Sequence, residues 1–464
     1  MHGILLPLLL SGLIAASPLR VAPLLGRPTD TSVTLSVVAG AEAVALTLEL
    51  GNDALEARDL GASGRLEKDE VREIEVGGLL PGTEYGYRLR ARAGEEEEVV
   101  EGRFVTRRPP GSPFTFALLS DSHLPVPAPY MLRPRQAWHM SSRDELLRAR
   151  QQIGQVFLAA LERIRDHRPD FLVCLGDMVD LHALGFNPGF PSEELARLAY
   201  LDFRAHLGVA GTRVPFFAVI GNWEGENGNL PGEEIGHARR ARMDLLPNPG
   251  RTTYPQGGSP GENWFAWEWG DALFVVLDVQ SYTTTTHTLG HTRGEGGPTD
   301  WTLGKEQLAW LEKTLSASER AFKMLLIHHA VGGNGGDAVN SAYGRGGGRA
   351  AHVGEQKKVH RLMLDHGARF LFYGHDHVFT DMEVDGIHYT LPGSAGAPWK
   401  FETAETGYVD YDPRSGYGLV HVSRDKVVVE FRGLDGTVFK SFEVKAGKEG
   451  GAGVEGGETG DRGR

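Results

Sequence analysis

Four or five imidazoles, two carboxylates and one amide recur along this chain in short motifs, each placed where an apolar run gives way to polar residues. In order they are Asp121-Ser122-His123, Gly176-Asp177, Gly221-Asn222, His328-His329 and Gly374-His375-Asp376-His377. Mixed nitrogen and oxygen donors of this kind suit Mn, Fe or Zn, whereas Ca and Mg prefer shells of oxygen alone. Asp121 and His123 are two residues apart, so a continuing strand would turn both side chains to one side. Glycines ahead of Asp177, Asn222 and His375 permit tight turns beneath a ligand. No one motif is diagnostic, because Asp-x-His arises by chance and a lone histidine is usually structural. Five in order, each ending an apolar run, form the ligand set of a two-metal hydrolytic site.

The elements that must hold these residues are legible as alternating strands and helices from residue 113 onward. Strands are expected at 114–119, 171–175, 215–220, 273–279, 322–327 and 369–373, and later at 387–391, 419–422, 426–431 and 437–444, with tight turns such as Asp435-Gly436. Helical periodicity covers 145–167 through Leu146, Ile153, Phe157, Leu161 and Ile164, with Ser142 and Glu145 as a capping box. Further helices are expected at 192–207, along Leu308, Leu311 and Leu315, and at 355–366 with Gly367 closing it. Each motif follows a strand, so its side chains emerge at one sheet edge, where α/β enzymes place their sites. The fold class expected for 113–444 is α/β, a two-sheet αββα sandwich.

A small all-β sandwich is expected before it, over residues 19–110, from apolar runs at 32–38, 44–50, 71–76, 85–91 and 99–105. The stretch Leu79-Leu80-Pro81-Gly82-Thr83-Glu84-Tyr85 resembles the tyrosine corner of fibronectin type III domains. The charge run 95–98 reads as a solvated hairpin tip, and Arg107-Arg108-Pro109-Pro110 as the linker.

With 464 residues, 41% hydrophobic and 23% charged, the chain has the composition of a globular protein of two domains. A net charge of -13 argues against a nucleic-acid-binding surface, though not against anionic substrates where bound cations dominate the local field. The single cysteine, Cys174, lies in an apolar run and reads as a buried structural thiol. Residues 4–16 are almost wholly apolar and Ala15-Ala16-Ser17 has the small residues of a cleavage site, so 1–17 reads as a signal peptide, although Met1-His2 brings no Lys or Arg. The expected location is secreted or periplasmic, with no transmembrane anchor in the mature chain and no protein partner identified. Residues 445–464, glycine and charge, are expected to form a disordered tail.

The motif order resembles the calcineurin-like metallophosphoesterase superfamily, with its Asp-x-His, Gly-Asp, Gly-Asn-His-Asp/Glu, later His and Gly-His-x-His. The resemblance covers about residues 113–440, and the sandwich ahead of it is similar to the layout of purple acid phosphatases. It implies two metal ions, Mn, Fe or Zn. Asp121, His123, Asp177 and His377 would hold one; Asp177, Asn222, His328 and His375 would hold the other, with Asp177 bridging. The family's His-x-Pro spacing aligns His328 with the ligand and puts Ala330 at the proline place. The implied reaction is hydrolysis of phosphate esters by in-line attack of a metal-bridging hydroxide. Purple acid phosphatases lack the first-motif histidine and carry a tyrosine three residues after the bridging aspartate. Here His123 is present and Asp180 holds that place, so no tyrosine–iron colour is expected and Asp180 is read as orienting the loop.

Trp223 departs from the pattern, since relatives carry there a histidine that assists the leaving oxygen. Indole donates a hydrogen bond but transfers no proton at neutral pH. Three readings stay open. Another group substitutes, with His329, Asp376, His287 and His291 as candidates; the natural leaving group needs no help; or the domain only binds. Asp177, Asn222, His329 and Asp376 are the catalytic candidates. Arg345 and Arg349, in a glycine-rich loop, are candidates for holding phosphate, against the plain reading of a solvated loop. The insert 124–140, with Trp138 and His139, and the tract 283–286, followed by His287 and His291, are candidate rims of the cleft. The leading functional reading is an exported dinuclear metal-dependent phosphoesterase. The alternatives are a nucleotide or phospholipid phosphodiesterase, and a secreted binding protein with a vestigial metal site.

Overall fold

The computed structural model describes residues 17–58, 60, 65–124, 143–181, 191–228, 232–282, 302–331, 343–344, 354–397, 408 and 410–446. The first seven strands are β1 (Leu19–Gly26), β2 (Val33–Ala39), β3 (Ala45–Gly51), β4 (Glu56–Arg58), β5 (Val71–Val76), β6 (Glu84–Ala93) and β7 (Glu96–Val105). They form antiparallel sheets in the orders β1-β2-β5 and β4-β3-β6-β7. β6 alternates buried and part-exposed residues, as a strand with one face on a core must. The Tyr85 hydroxyl accepts from the Leu80 backbone N–H at 2.9 Å, the tie of a tyrosine corner. The acidic run lies mostly on β7 itself, where Glu97 pairs across the hairpin with Arg90 and Arg92.

The second unit begins with β8 (Phe114–Leu119), α1 (Arg143–His167), β9 (Phe171–Cys174), α2 (Glu193–Gly211), β10 (Phe216–Ala218) and α3 (Gly232–Leu245). There follow β11 (Phe265–Trp269), β12 (Ala272–Val276), α4 (Gly304–Ala317), β13 (Phe322–Leu326), β14 (Ala330–Val331), β15 (Tyr343–Gly344), α5 (Gly354–Asp365) and β16 (Phe370–Phe372). It closes with β17 (Phe379–Val384), β18 (Ile387–Pro392), β19 (Gly416–Val422), β20 (Lys426–Gly433) and β21 (Val438–Lys445). Two six-stranded sheets result, in the orders β10-β9-β8-β19-β20-β21 and β11-β12-β13-β16-β18-β17. The strands that lead to the motifs are parallel neighbours: β8, β9 and β10 in one sheet, β13 and β16 in the other. Their near-continuous apolar sequences fit strands covered on both faces.

Between the sheets lies an aromatic core in which Phe116, Phe171, Phe217, Trp267 and Phe274 touch ring to ring, Phe217 and Trp267 stacking at 4.1 Å. Ile153, Phe157, Leu161 and Ile164 of α1, with Phe203 and Leu207 of α2, cover the outer face of the first sheet. Leu311 and Leu315 of α4 and Val359 and Met363 of α5 cover the second. This is the expected αββα sandwich. Ser192 caps α2 by accepting from the Leu195 N–H, and Gly367, at φ 68°, follows α5.

The sandwich is seated on α2. Leu24 and Val38 enter the helix-layer core, and the buried Arg204 donates to the Ser36 hydroxyl and carbonyl and to the Leu245 carbonyl. Tyr87 donates to the Thr212 carbonyl at 2.8 Å. Cys174 is buried, and burial pushes its thiol well up. Among the described residues no helix is long and apolar enough to cross a membrane. Ser142, Trp138, His139, His287, His291, Arg345, Arg349, the 1–16 segment and residues 447–464 lie outside the described residues.

Candidate metal centre

All five motifs sit just beyond the C-terminal ends of β8, β9, β10, β13 and β16, so both sheets contribute to one edge. Asp121 and His123 do come together, with His123 Nε2 3.9 Å from Asp121 Oδ1, but not by strand pleat. β8 has ended, and left-handed backbone brings them in: φ is 53° at Asp121, 45° at His123, 53° at Asp177, 81° at His375 and 60° at His377. Such conformations are costly for residues with a Cβ and concentrate where function holds them. The surrounding loops lace this backbone down: Asp121 N–H donates to the Gly176 carbonyl, His123 N–H to that of Asp177, and Gly374 N–H to that of His328.

Glycine is required where these loops touch. A Cβ on Gly176, whose φ is 97°, would lie 2.6 Å from His328 Nδ1, and one on Gly221 would collide with the Asp177 carboxylate and backbone nitrogen.

Two donor clusters follow. Asp121, His123, Asp177 and His377 form one, with donor atoms within 4.8 Å of one another; His328, His329 and His375 form the other within the same span. All seven are buried, as is Asn222. His123 Nε2 lies 3.2 Å from His377 Nε2, and His377 Nε2 lies 3.4 Å from Asp121 Oδ1. Asp177 Oδ2 stands between the groups, 3.3 Å from His123 Nε2 and 3.1 Å from His328 Nε2. Asn222 Oδ1 joins the second group at 3.1 Å from His328 Nε2 and 3.0 Å from His375 Nδ1. Imidazole nitrogens, carboxylates and an amide oxygen gathered in a buried pocket are a donor set that fits transition-metal cations, and the shared position of Asp177 suits a bridge. The ligands are held from behind. His328 Nδ1 sits 2.7 Å from the Leu175 carbonyl, Asp121 accepts from the His375 N–H at 3.0 Å, and Asp177 Oδ1 accepts from the Trp223 N–H at 2.8 Å.

The electrostatics are those of charges packed together. Burial would raise the Asp177 carboxyl, but the His328 and His123 imidazoles outweigh it and hold the group well below the usual range. Asp121 is lowered against its burial in the same way, chiefly by His377. Burial opposes protonation of His328, yet Asp177, Asp121 and Glu224 together push it up to about 9.

Glu224, two residues after Asn222, was not singled out from sequence. Its buried carboxylate accepts from the N–H groups of Asp177 at 3.0 Å, Val179 at 3.3 Å, Met178 and Gly221, and so ties the second and third motifs together. Burial and the neighbouring Asp177 charge raise its carboxyl to about 8. The acidic place in the Gly-Asn-x-Glu pattern was the available signal. Gln280, whose Nε2 is 2.6 Å from His329 Nδ1, had none.

Trp223 is half-buried, its indole set edge-on to the His123 ring at 5.3 Å. His329 lies against His375 with ring centroids 3.9 Å apart. Asp376 is committed elsewhere: its Oδ2 accepts from the Tyr408 hydroxyl at 2.7 Å, which in turn meets the Tyr373 hydroxyl at 2.8 Å.

Fold and site define a phosphoesterase of the two-sheet metal-binding type, and the chain belongs to the calcineurin-like phosphoesterase family, matched over residues 114–379. No curated protein matches the sequence. Among solved structures it is similar to PhoD, with a TM-score of 0.64 at 16% identity, covering 94% of this chain and 92% of that one. It is also similar to purple acid phosphatase PPD1 from yellow lupin (Lupinus luteus) seeds, with a TM-score of 0.62 at 16% identity, covering 93% of this chain and 74% of that one. Both likenesses are of fold.

Proposed function

We propose that this protein is an exported, dinuclear metal-dependent phosphoesterase. The observation that carries this reading is Asp177 Oδ2, buried and within 3.3 Å of an imidazole from each cluster, which is where a carboxylate shared by two cations belongs. Asp121, His123, Asp177 and His377 would hold one metal ion; Asp177, Asn222, His328 and His375 would hold the other. Mn, Fe or Zn ions held there would acidify water and neutralise phosphoryl charge.

The chain's own groups orient this chemistry. The Leu175 carbonyl accepts from His328 Nδ1–H and turns Nε2 toward Asp177. The Trp223 N–H occupies Asp177 Oδ1, which leaves Oδ2 facing the clusters. At the leaving oxygen, Trp223 brings an indole where relatives carry imidazole, and we assign hydrogen-bond donation there to His329, the third imidazole of the second cluster. Asp376, tied to Tyr408, takes a positioning role. Arg345 and Arg349 remain the candidates for holding the phosphate. The half-buried indole at the rim favours, as a second reading, diesters with a flat or apolar leaving group, such as nucleotide or phospholipid substrates.

Residues 19–110 are proposed as a fibronectin type III-like module, supported by the three-plus-four strand arrangement and the Tyr85 tie, and 113–444 as the catalytic domain. Export rests on the apolar segment 4–16. Aryl phosphate mono- and diesters assayed with added Mn test the reading: hydrolysis is expected and should fall at least about 1,000-fold in Asp177→Asn. Equal activity in that variant overturns it.

A further inference from the structure

His328 and His329 are adjacent, equally buried and both in the second cluster, yet their Nδ1 atoms meet opposite chemistry. His328 Nδ1 lies 2.7 Å from the Leu175 carbonyl, which can only accept, so Nδ1 carries a proton and Nε2 is the nitrogen turned to Asp177, available to a cation that displaces its proton. That is the usual arrangement of a ligating histidine, whose second nitrogen donates to a carbonyl or carboxylate. His329 Nδ1 lies 2.6 Å from Gln280 Nε2, an amide NH2 that can only donate, so here Nδ1 is the acceptor and Nε2 carries the proton.

We infer that Gln280 is a positioning residue that fixes His329 as the Nε2–H tautomer, making this imidazole a hydrogen-bond donor to the substrate and not a metal ligand. This rests on the donor role assigned to His329 above and supplies its cause.

The backbone of Gln280 is held in place beside His329. Its N–H donates to Asp278 Oδ1 at 2.7 Å and its carbonyl accepts from the Gly228 N–H at 3.0 Å. The Asp278 carboxylate is gripped by the Asn263 amide and the Ser281 hydroxyl. Gln307 on α4 brackets the same residue, accepting from the Asp278 N–H at 2.8 Å and donating to its carbonyl at 2.7 Å. Asn263, Asp278, Gln280, Gln307 and His329 are all buried. The loop after β12 thus reaches the metal site through one amide, and its direction sets what the neighbouring imidazole can do.

Gln280→Glu keeps the shape but replaces the donor with an acceptor, which draws the proton to Nδ1. Nitrogen-15 spectra of the zinc-loaded protein, with the His329 ring assigned by its loss in His329→Ala, should show an Nε2–H tautomer that moves to Nδ1–H in Gln280→Glu. Across aryl phosphates of falling leaving-group acidity, kcat/KM should drop about 100-fold on the poorest leaving group and less than about threefold on the best. Gln280→Leu should steepen the dependence in the same sense without adding a charge. His329→Ala should match it with metal content unchanged, and the double variant should be no worse than His329→Ala alone. An Nδ1–H tautomer in the parent protein, loss of metal in His329→Ala, or an equal rate loss across all leaving groups overturns the inference. If His329→Ala leaves the leaving-group dependence unaltered, the donor role falls and takes this inference with it. If His329→Ala steepens it and neither Gln280 variant does, the donor role stands and only the part given to Gln280 falls.

Discussion

The residues that the structure gathers into the two donor clusters were readable because each belongs to a motif of two to four residues, and the motif carries its own geometry. Glu224 could have been read the same way, since it closes a Gly-Asn-x-Glu pattern. Gln280 could not: it meets His329 across 49 positions, through a loop whose path only the assembled core determines. The expected side-by-side placement of Asp121 and His123 was right for a wrong reason, because left-handed backbone and not strand pleat brings them in. Trp223→His restores an imidazole beside His123 and should raise turnover on poor leaving groups by about 10- to 100-fold, with little change on good ones, in steady-state assays. Glu224→Gln keeps the volume but offers one acceptor oxygen where two now serve four backbone N–H groups. Unpaired buried donors cost about 1–3 kcal/mol each, so a comparable loss of unfolding free energy should appear in urea titration, together with weaker metal retention.

At the scale of elements, the strands beneath the motifs announced themselves as short apolar runs of the kind that parallel, doubly covered strands require. What stayed hidden had weaker patterning. β1 carries Pro23, tolerable because β1 is the edge of its sheet. α3 buries Glu234 and Arg242 beside Ala238 and Leu245, so its inward face reads as polar, and the partner that offsets the Arg242 charge, Glu226, lies in the segment just ahead of the helix. The turns are where the elements constrain function. Gly221→Ala should displace the Asp177 carboxylate, and we expect bound metal and activity to fall together while far-UV circular dichroism is retained. Retained metal with lost activity would show that the Gly-Asn turn does not set the ligand position.

Over the whole molecule, the two-sheet αββα architecture and the preceding β-sandwich were legible from the order of elements. The joint between them was not. It is made by single residues far apart in sequence, such as Arg204 against Ser36 and Tyr254 against Pro28. Glu262 lies at this joint, 3.8 Å from Arg27, and burial raises its carboxyl to about 7 from the ordinary 4.5. Below pH 4.5 the group is protonated folded or unfolded and has no effect; between 4.5 and 7 the unfolded chain ionises first, so folding stability falls as pH rises. Relative to Glu262→Gln, the parent protein should lose on the order of 1–3 kcal/mol across that window in denaturant titrations at stepped pH. A difference that is flat with pH would mean the carboxyl is ordinary.

One carboxylate, Asp177, stands between the two buried clusters. Metal per chain, measured by elemental analysis after saturation and removal of loose ions, tests it most directly. We predict two metal ions per chain in the parent protein and fewer than one in Asp177→Asn. Fewer than one in the saturated parent, or an unchanged content in the variant, would contradict it.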